Sequence, residues 1–181
     1  QDLEEGWLEL CMLCLKDLES GRFFVFADDN QNLYGTGDNL ASLMSVDAHA
    51  LVRNVRNTKP IFQFSNEYYQ GITNSSLAFE GPDVEFYNCE NQELGKVVRH
   101  HLERLRDVEG VPFKNMAVLS CRSLHRSNIG GALEDISVTA EVEPPEDRVT
   151  FDSVWRFKGL ERQVVIISDI EEAVQNRELL Y

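Results

Sequence analysis

Short apolar runs that alternate with helical patterns constrain this chain more than any other feature. Residues 23–27, 84–87, 116–120 and 163–169 are such runs, the last being the most strongly apolar. Between the second and third runs the apolar period changes. Leu94, Val97, Val98, His101, Leu102 and Leu105 fall on one face of a helix predicted over about 91–107. Parallel strands need a crossover connection, and helical crossovers cover the sheet they connect, so strands alternating with helices imply a parallel sheet flanked by helices. The expected fold class is α/β.

The remaining elements are read the same way. Residues 3–19 form an amphipathic helix with Leu3, Trp7, Leu10, Cys14 and Leu18 on one side, stopped by Ser20-Gly21. A short helical segment is expected at about 39–45, a short strand at 49–53, and a turn over 54–58 that leads into a helix from Lys59, where Ile61, Phe62, Phe64, Ser65 and Tyr68 keep helical spacing. Residues 123–133 read as helical, 136–138 as an edge strand, 141–147 as a loop around Pro144-Pro145, and 148–151 as a short strand. The first section, with one clear strand and two helices, is too little to close a core. It reads as the tail of a domain that begins before Gln1.

Composition limits the functions available. The formal net charge of -14 opposes nucleic-acid binding by this piece alone, because phosphates require a basic surface. An acidic balance ordinarily marks a solvated surface. Cys11, Cys14, Cys89 and Cys121 lack the paired spacing of a zinc site or a disulfide framework. Cys11-Met-Leu-Cys14 has the spacing of a redox pair, yet it lies within an apolar helical pattern, where both thiols read as buried small hydrophobes. Free thiols point to a reducing, cytoplasmic compartment. No stretch reaches the ~20 apolar residues of a membrane span, and no membrane partner is expected.

Three polar clusters follow predicted strand ends, where ligands of open α/β sheets gather. They are Asp28–Tyr34, Asn54–Asn57 and Ser153–Glu161. Together they supply a carboxamide (Gln31), a guanidinium (Arg56) and a glycine that lets backbone approach a ligand (Gly159). Those are parts that position a nucleotide γ-phosphate. Read from spacing alone, each cluster is equally a hydrophilic loop. A phospho-acceptor built on Asp28 and Asp29 is a further reading, but no lysine is well placed to accompany them.

These residues carry a resemblance. Val25-Phe-Ala-Asp-Asp-Asn-Gln-Asn-Leu-Tyr-Gly35 resembles the third motif of UvrD/Rep-type superfamily 1 helicases, and Leu51-Val-Arg-Asn-Val-Arg-Asn-Thr58 resembles their fourth. Ser153-Val-Trp-Arg-Phe-Lys-Gly-Leu-Glu161, followed by Val164-Val-Ile-Ile167, is similar to their fifth, Thr-x-His-x-x-Lys-Gly-Leu-Glu. Gln1-Asp2 fits the end of the Walker B motif, and Asn176–Tyr181 fits the lead-in to the sixth motif. The motifs keep the family's order along the chain.

The resemblance implies a RecA-like, P-loop NTPase-type architecture. Residues 1–46 would be the tail of the first motor domain. Residues 47–181 would be a second domain without a large insertion, truncated before the sixth motif. Gln31 would sense the γ-phosphate, Arg56 would contact it across the domain cleft, Gly159 and Lys158 would shape the turn beneath nucleotide and strand, and Glu161 would meet the ribose. Tyr34, Trp155 and Lys158 would face single-stranded nucleic acid, DNA or RNA. Tyr34 also reads as a core aromatic, Lys158 and Glu161 as a surface ion pair, and Trp155 equally as packing. Val55 departs from the family's adenine-stacking aromatic, Trp155 from its histidine, and Thr36 from a second strand-facing aromatic. ATP and Mg2+ are expected in the complete protein, with none held tightly by this piece. The phosphate loop, the catalytic Asp-Glu and the sixth-motif arginine fall outside the sequence, so the chain alone is not expected to hydrolyse ATP. The missing first motor domain is the expected partner. The alternative is a non-catalytic, helicase-like protein-interaction module.

Overall fold

The computed structural model describes residues 5–17, 21–26, 53–68, 75–76, 79–129, 133 and 136–171. The chain divides into two compact units, residues 1–84 with 180–181 and residues 85–179. In the first unit Glu5–Leu13 forms helix α1, Arg53–Asn54 strand β1, Lys59–Asn66 helix α2 and Ser75–Ser76 strand β2. β1 and β2 pair in parallel.

Helix α2 begins at the predicted residue. Pro60 stands in its first turn, where a missing N–H leaves no bond unmade. Thr58 is the cap residue but its hydroxyl makes no capping bond; the Lys59 N–H instead donates to Phe79 O at 2.9 Å. Gly81 permits this approach, because a Cβ there would come 2.7 Å from Thr58 Cγ2. Ser65 is buried and Phe62, Phe64 and Tyr68 are half-buried, as their spacing predicts, whereas Ile61 is exposed.

Two readings of this unit need correction. α1 stops at Leu13, and tighter bonds from Cys14 N–H to Cys11 O and from Leu15 N–H to Met12 O close it. Leu10, Leu13, Cys11 and Cys14 are exposed, so neither thiol is a buried hydrophobe. Residues 23–26 form no strand, and Phe24 and Phe26 are exposed. An apolar run becomes a buried strand only when other strands flank it, and among the described residues of this unit the β1–β2 ladder does not include this run. Ala27, the helix expected at 39–45 and most of the strand at 49–53 lie outside the described residues.

The second unit contains helix α3 (Leu94–Asp107) and strands β3 (Met116–Ser120), β4 (Val138–Thr139), β5 (Val149–Ser153) and β6 (Val164–Ser168), with a one-turn helix, α4 (Val154–Phe157), between the last two. The strands form one all-parallel sheet in the order β4-β5-β3-β6. α3 covers one face. Val98, Leu102 and Leu105 pack there with Met116, Val118 and Val149, joined by Val111, Phe113, Ile129, Leu133 and Ile136. Each fully buried side chain of this kind contributes about 1.5–3 kcal/mol. On the other face Ala117 and Leu119 meet Phe157, Val154 and Leu160. That cover is small. Val165 and Ile167 on the edge strand β6 remain over 40% exposed, at 41% and 44%, so the most apolar run in the sequence is covered on one face only.

The predicted strand at 84–87 is irregular, with Phe86 and Tyr87 exposed. Side-chain contacts to α3 hold this segment: the Tyr87 and His101 rings lie 4.0 Å apart, and Arg104 pairs with Glu85 at 3.5 Å. Residues 123–133 make only a 3-10 turn, Leu124–Arg126, among the described residues. Ser127 accounts for this, because its hydroxyl accepts the Ile129 N–H that a helix would direct to a backbone carbonyl. Among the described residues no helix is long and apolar enough to cross a membrane.

Truncation of the fully buried Leu102 to Ala is expected to destabilise the chain by about 2–5 kcal/mol, read as a lower urea midpoint at unchanged slope. Burial, then Arg104 and His100, lower the His101 pKa below its usual 6.5, against a weaker opposing effect of Glu85. The folded state therefore binds this proton less readily than the unfolded state. Stability contributed by neutral His101 is full above pH ~6.5 and is lost as pH falls from there through the lowered value. Melting temperatures of His101→Gln should fall less between pH 7 and 5 than those of the wild type.

Candidate functional site

The connection from β5 to β6 is built from successive local choices. Asp152, buried near the end of β5, accepts the Ser153 N–H through Oδ1 at 2.7 Å and lies 3.6 Å from an Arg156 guanidinium nitrogen. Ser153 caps α4, its Oγ accepting the Arg156 N–H at 3.4 Å. The helix ends after one turn because Lys158 takes φ -48° and ψ 130° and Gly159 takes φ +84°. With the Leu160 N–H donating to Phe157 O at 2.9 Å, residues 157–160 form a type II turn. No atom would lie within 4 Å of a Cβ on Gly159, so the backbone conformation alone requires glycine and the space beside it is open.

Arg162 fixes the far end of this connection. Its guanidinium donates to Glu161 O at 2.8 Å, Val142 O at 2.6 Å and Thr150 Oγ1 at 3.3 Å, and lies 5.7 Å from the Phe157 ring centre. Thr150 is near the amino end of β5, whereas Ser153 ends that strand. The cluster Ser153–Glu161, expected at one strand end, therefore runs the length of the sheet: Ser153, Trp155 and Arg156 start at the carboxyl edge, Lys158 and Gly159 turn midway, and the exposed Glu161 lies towards the amino edge. Trp155 and Lys158 are half-buried, and each has further interactions within the fold.

The carboxyl edge holds a second group that sequence reasoning missed. Ser153, Ser120 and Ser168 stand side by side in register across β5, β3 and β6, all buried. Ser120 Oγ accepts the Arg122 N–H and donates to Asp169 Oδ2 at 2.6 Å, and Ser127 Oγ donates to the same oxygen at 2.9 Å. Ser168 Oγ lies 3.4 Å from that oxygen but is nearer to Leu119 O, at 3.2 Å, to which it can give its single proton. Asp169 is buried, with Oδ1 unpartnered and φ at +55°. The available signal was simple: each of these three strands ends in serine.

Above this row the chain places cations. Arg122 and Arg126 follow β3 and Arg156 follows β5; Arg122 also pairs with Glu171 at 3.8 Å. In a chain of net charge -14, the segments that follow β3 and β5 thus carry three arginines, two of them paired with Glu171 and Asp152. Among the described residues no group of three or more His, Cys, Asp or Glu is placed to hold a metal ion.

Arg56 belongs to the first unit, exposed in the turn between β1 and α2, with interactions of its own, and Val55 beside it is exposed. Gln31 and Tyr34 lie outside the described residues. Of the sequence-predicted site residues, the structure brings Trp155, Lys158, Gly159 and Glu161 together along one connection.

Gly159→Ala would force a side chain into the left-handed region, at a cost of about 1–3 kcal/mol with no steric contribution. Urea melts of that variant against Gly159→Asn, which tolerates the conformation better, should show alanine as the more damaging. Comparison of the chain with protein-family models, curated proteins and solved structures found no match.

Proposed function

We propose that the chain is part of the motor of a UvrD/Rep-type superfamily 1 helicase or translocase, with residues 1–46 the tail of one RecA-like domain and 47–181 most of a second. The observation that carries this reading is the form of the fifth-motif-like segment. Ser153–Glu161 joins two parallel strands through a one-turn helix and a glycine turn, and it spans the sheet from one edge to the other. Such a segment can address two ligands at once, a strand at the carboxyl edge and a nucleotide farther down the connection.

The cations at the carboxyl edge support the first role. Phosphate contacts by Arg122, Arg126 and Arg156, with base stacking on Trp155, suit single-stranded nucleic acid in this reading. For the second role, the open space at Gly159 and the exposed carboxylate of Glu161 fit a nucleotide phosphate and ribose, and the motif resemblance gives Arg56 and Gln31 their γ-phosphate roles in the complete motor. ATP with Mg2+ would supply the anhydride whose hydrolysis drives the motor. Arg56 would orient and neutralise the terminal phosphate, and Glu161 would hold the sugar.

A second reading, a non-catalytic interaction module, draws on the exposed Val55 and on Val165 and Ile167 along β6. The source reading frame separates the two: the motor requires Asp-Glu and one further residue before Gln1, a phosphate loop upstream and Val-Ala-x-Thr-Arg soon after Tyr181, and their absence would refute it. In the complete protein Arg56→Ala should lower ATP turnover by about 10³-fold or more while sparing strand binding. Gln31→Ala should retain basal hydrolysis but lose its stimulation by DNA. Unchanged turnover in the first variant, or unchanged stimulation in the second, would remove these assignments.

A further inference from the structure

We infer that Asp169 is the positioning residue for the strand-binding edge, holding loop 121–127 in place through the Ser120 and Ser127 hydroxyls, an inference that rests on the strand-binding reading above. The loop carries Arg122 and Arg126, two of the three cations at that edge. One carboxylate oxygen, Asp169 Oδ2, holds both ends of it: Ser120 precedes the loop and bonds at 2.6 Å, and Ser127 closes it and bonds at 2.9 Å. These bonds join residues 49 and 42 positions apart in sequence. Each serine passes the constraint on to the backbone, Ser120 Oγ accepting from Arg122 N–H and Ser127 Oγ from Ile129 N–H.

The backbone at Asp169 argues that the carboxylate has a purpose there. Among the described residues it is the one non-glycine residue with positive φ, a conformation that glycine would adopt more easily. Its Oδ1 is buried without a donor. A position that favours glycine, and that leaves one carboxylate oxygen unsatisfied, keeps an aspartate whose other oxygen gathers two hydroxyls. Asp169 itself is buried and acts through the loop.

The test uses three variants of the complete protein. Asp169→Gly relieves the backbone and removes the acceptor, Asp169→Asn keeps an acceptor oxygen, and Ser127→Ala removes the loop's bond to Asp169, together with the acceptor of the Ile129 N–H, and leaves the Asp169 backbone untouched. Amide hydrogen exchange at Arg122 and Ile129 reads the loop, exchange at Val118 reads the sheet, and anisotropy with a labelled oligothymidylate reads strand binding. Asp169→Gly should speed exchange at Ile129 tenfold or more and Ser127→Ala should speed it at Arg122, each leaving Val118 unchanged and weakening oligonucleotide binding several-fold, while Asp169→Asn stays near wild type. Unchanged Ile129 exchange would overturn the latch. Faster exchange with undiminished affinity would overturn the positioning role. A complete wild-type protein that binds no oligothymidylate at low salt would instead refute the strand-binding reading, and the role with it, whatever exchange shows.

Discussion

A parallel strand cannot satisfy its backbone alone, and β3 satisfies its own on both edges. Residues 117–120 pair with 150–153 of β5 while residues 116–120 pair with 164–168 of β6. All five residues of β3 are buried as a consequence. The side chains then divide by the period of two: Met116 and Val118 enter the large core under α3, and Ala117 and Leu119 enter the small one under Phe157. Slippage by one residue would exchange those faces and set Met116 and Val118 against a cover too small for them. The register that fixes the core also aligns the three terminal serines, so packing and the candidate site share one cause.

The two faces are unequal because the segments that cover them are unequal, α3 ahead of β3 and the short link from β5 to β6. α3 offers a long apolar stripe, which Val98, Leu102 and Leu105 press onto the sheet. The link from β5 to β6 is too short for a comparable helix and covers the central strands only. That economy has a chemical counterpart. The short link holds Val154, Phe157 and Leu160 against the sheet and leaves Gly159 and Glu161 open to solvent.

Legibility in the sequence followed the range of the interactions. α3, β3, β5 and β6 were readable because each combines an unmistakable period or apolar run with partners that exist in the same unit. The run at 23–26 was just as apolar, yet strand formation depends on neighbours, which no local pattern reports. Glu85 and Tyr87 failed as strand residues for the opposite reason, since Arg104 and His101 offered them side-chain partners on a helix. Gly159 was legible as a turn because its conformation is a local property. Asp169 was not, because what distinguishes it is a pair of hydroxyls more than forty residues away in sequence.

The strand order also sets a timetable. β3 is made first, but its partners come later, and the pairing of Met116 with Val164 spans about 50 residues of synthesis. At about 5–20 residues per second, the most deeply buried strand of the unit leaves the ribosome seconds before its second edge can be closed. During that interval Met116–Leu119 is an uncharged apolar segment in the open. A chaperone that binds short apolar segments has its natural substrate there, in the nascent chain.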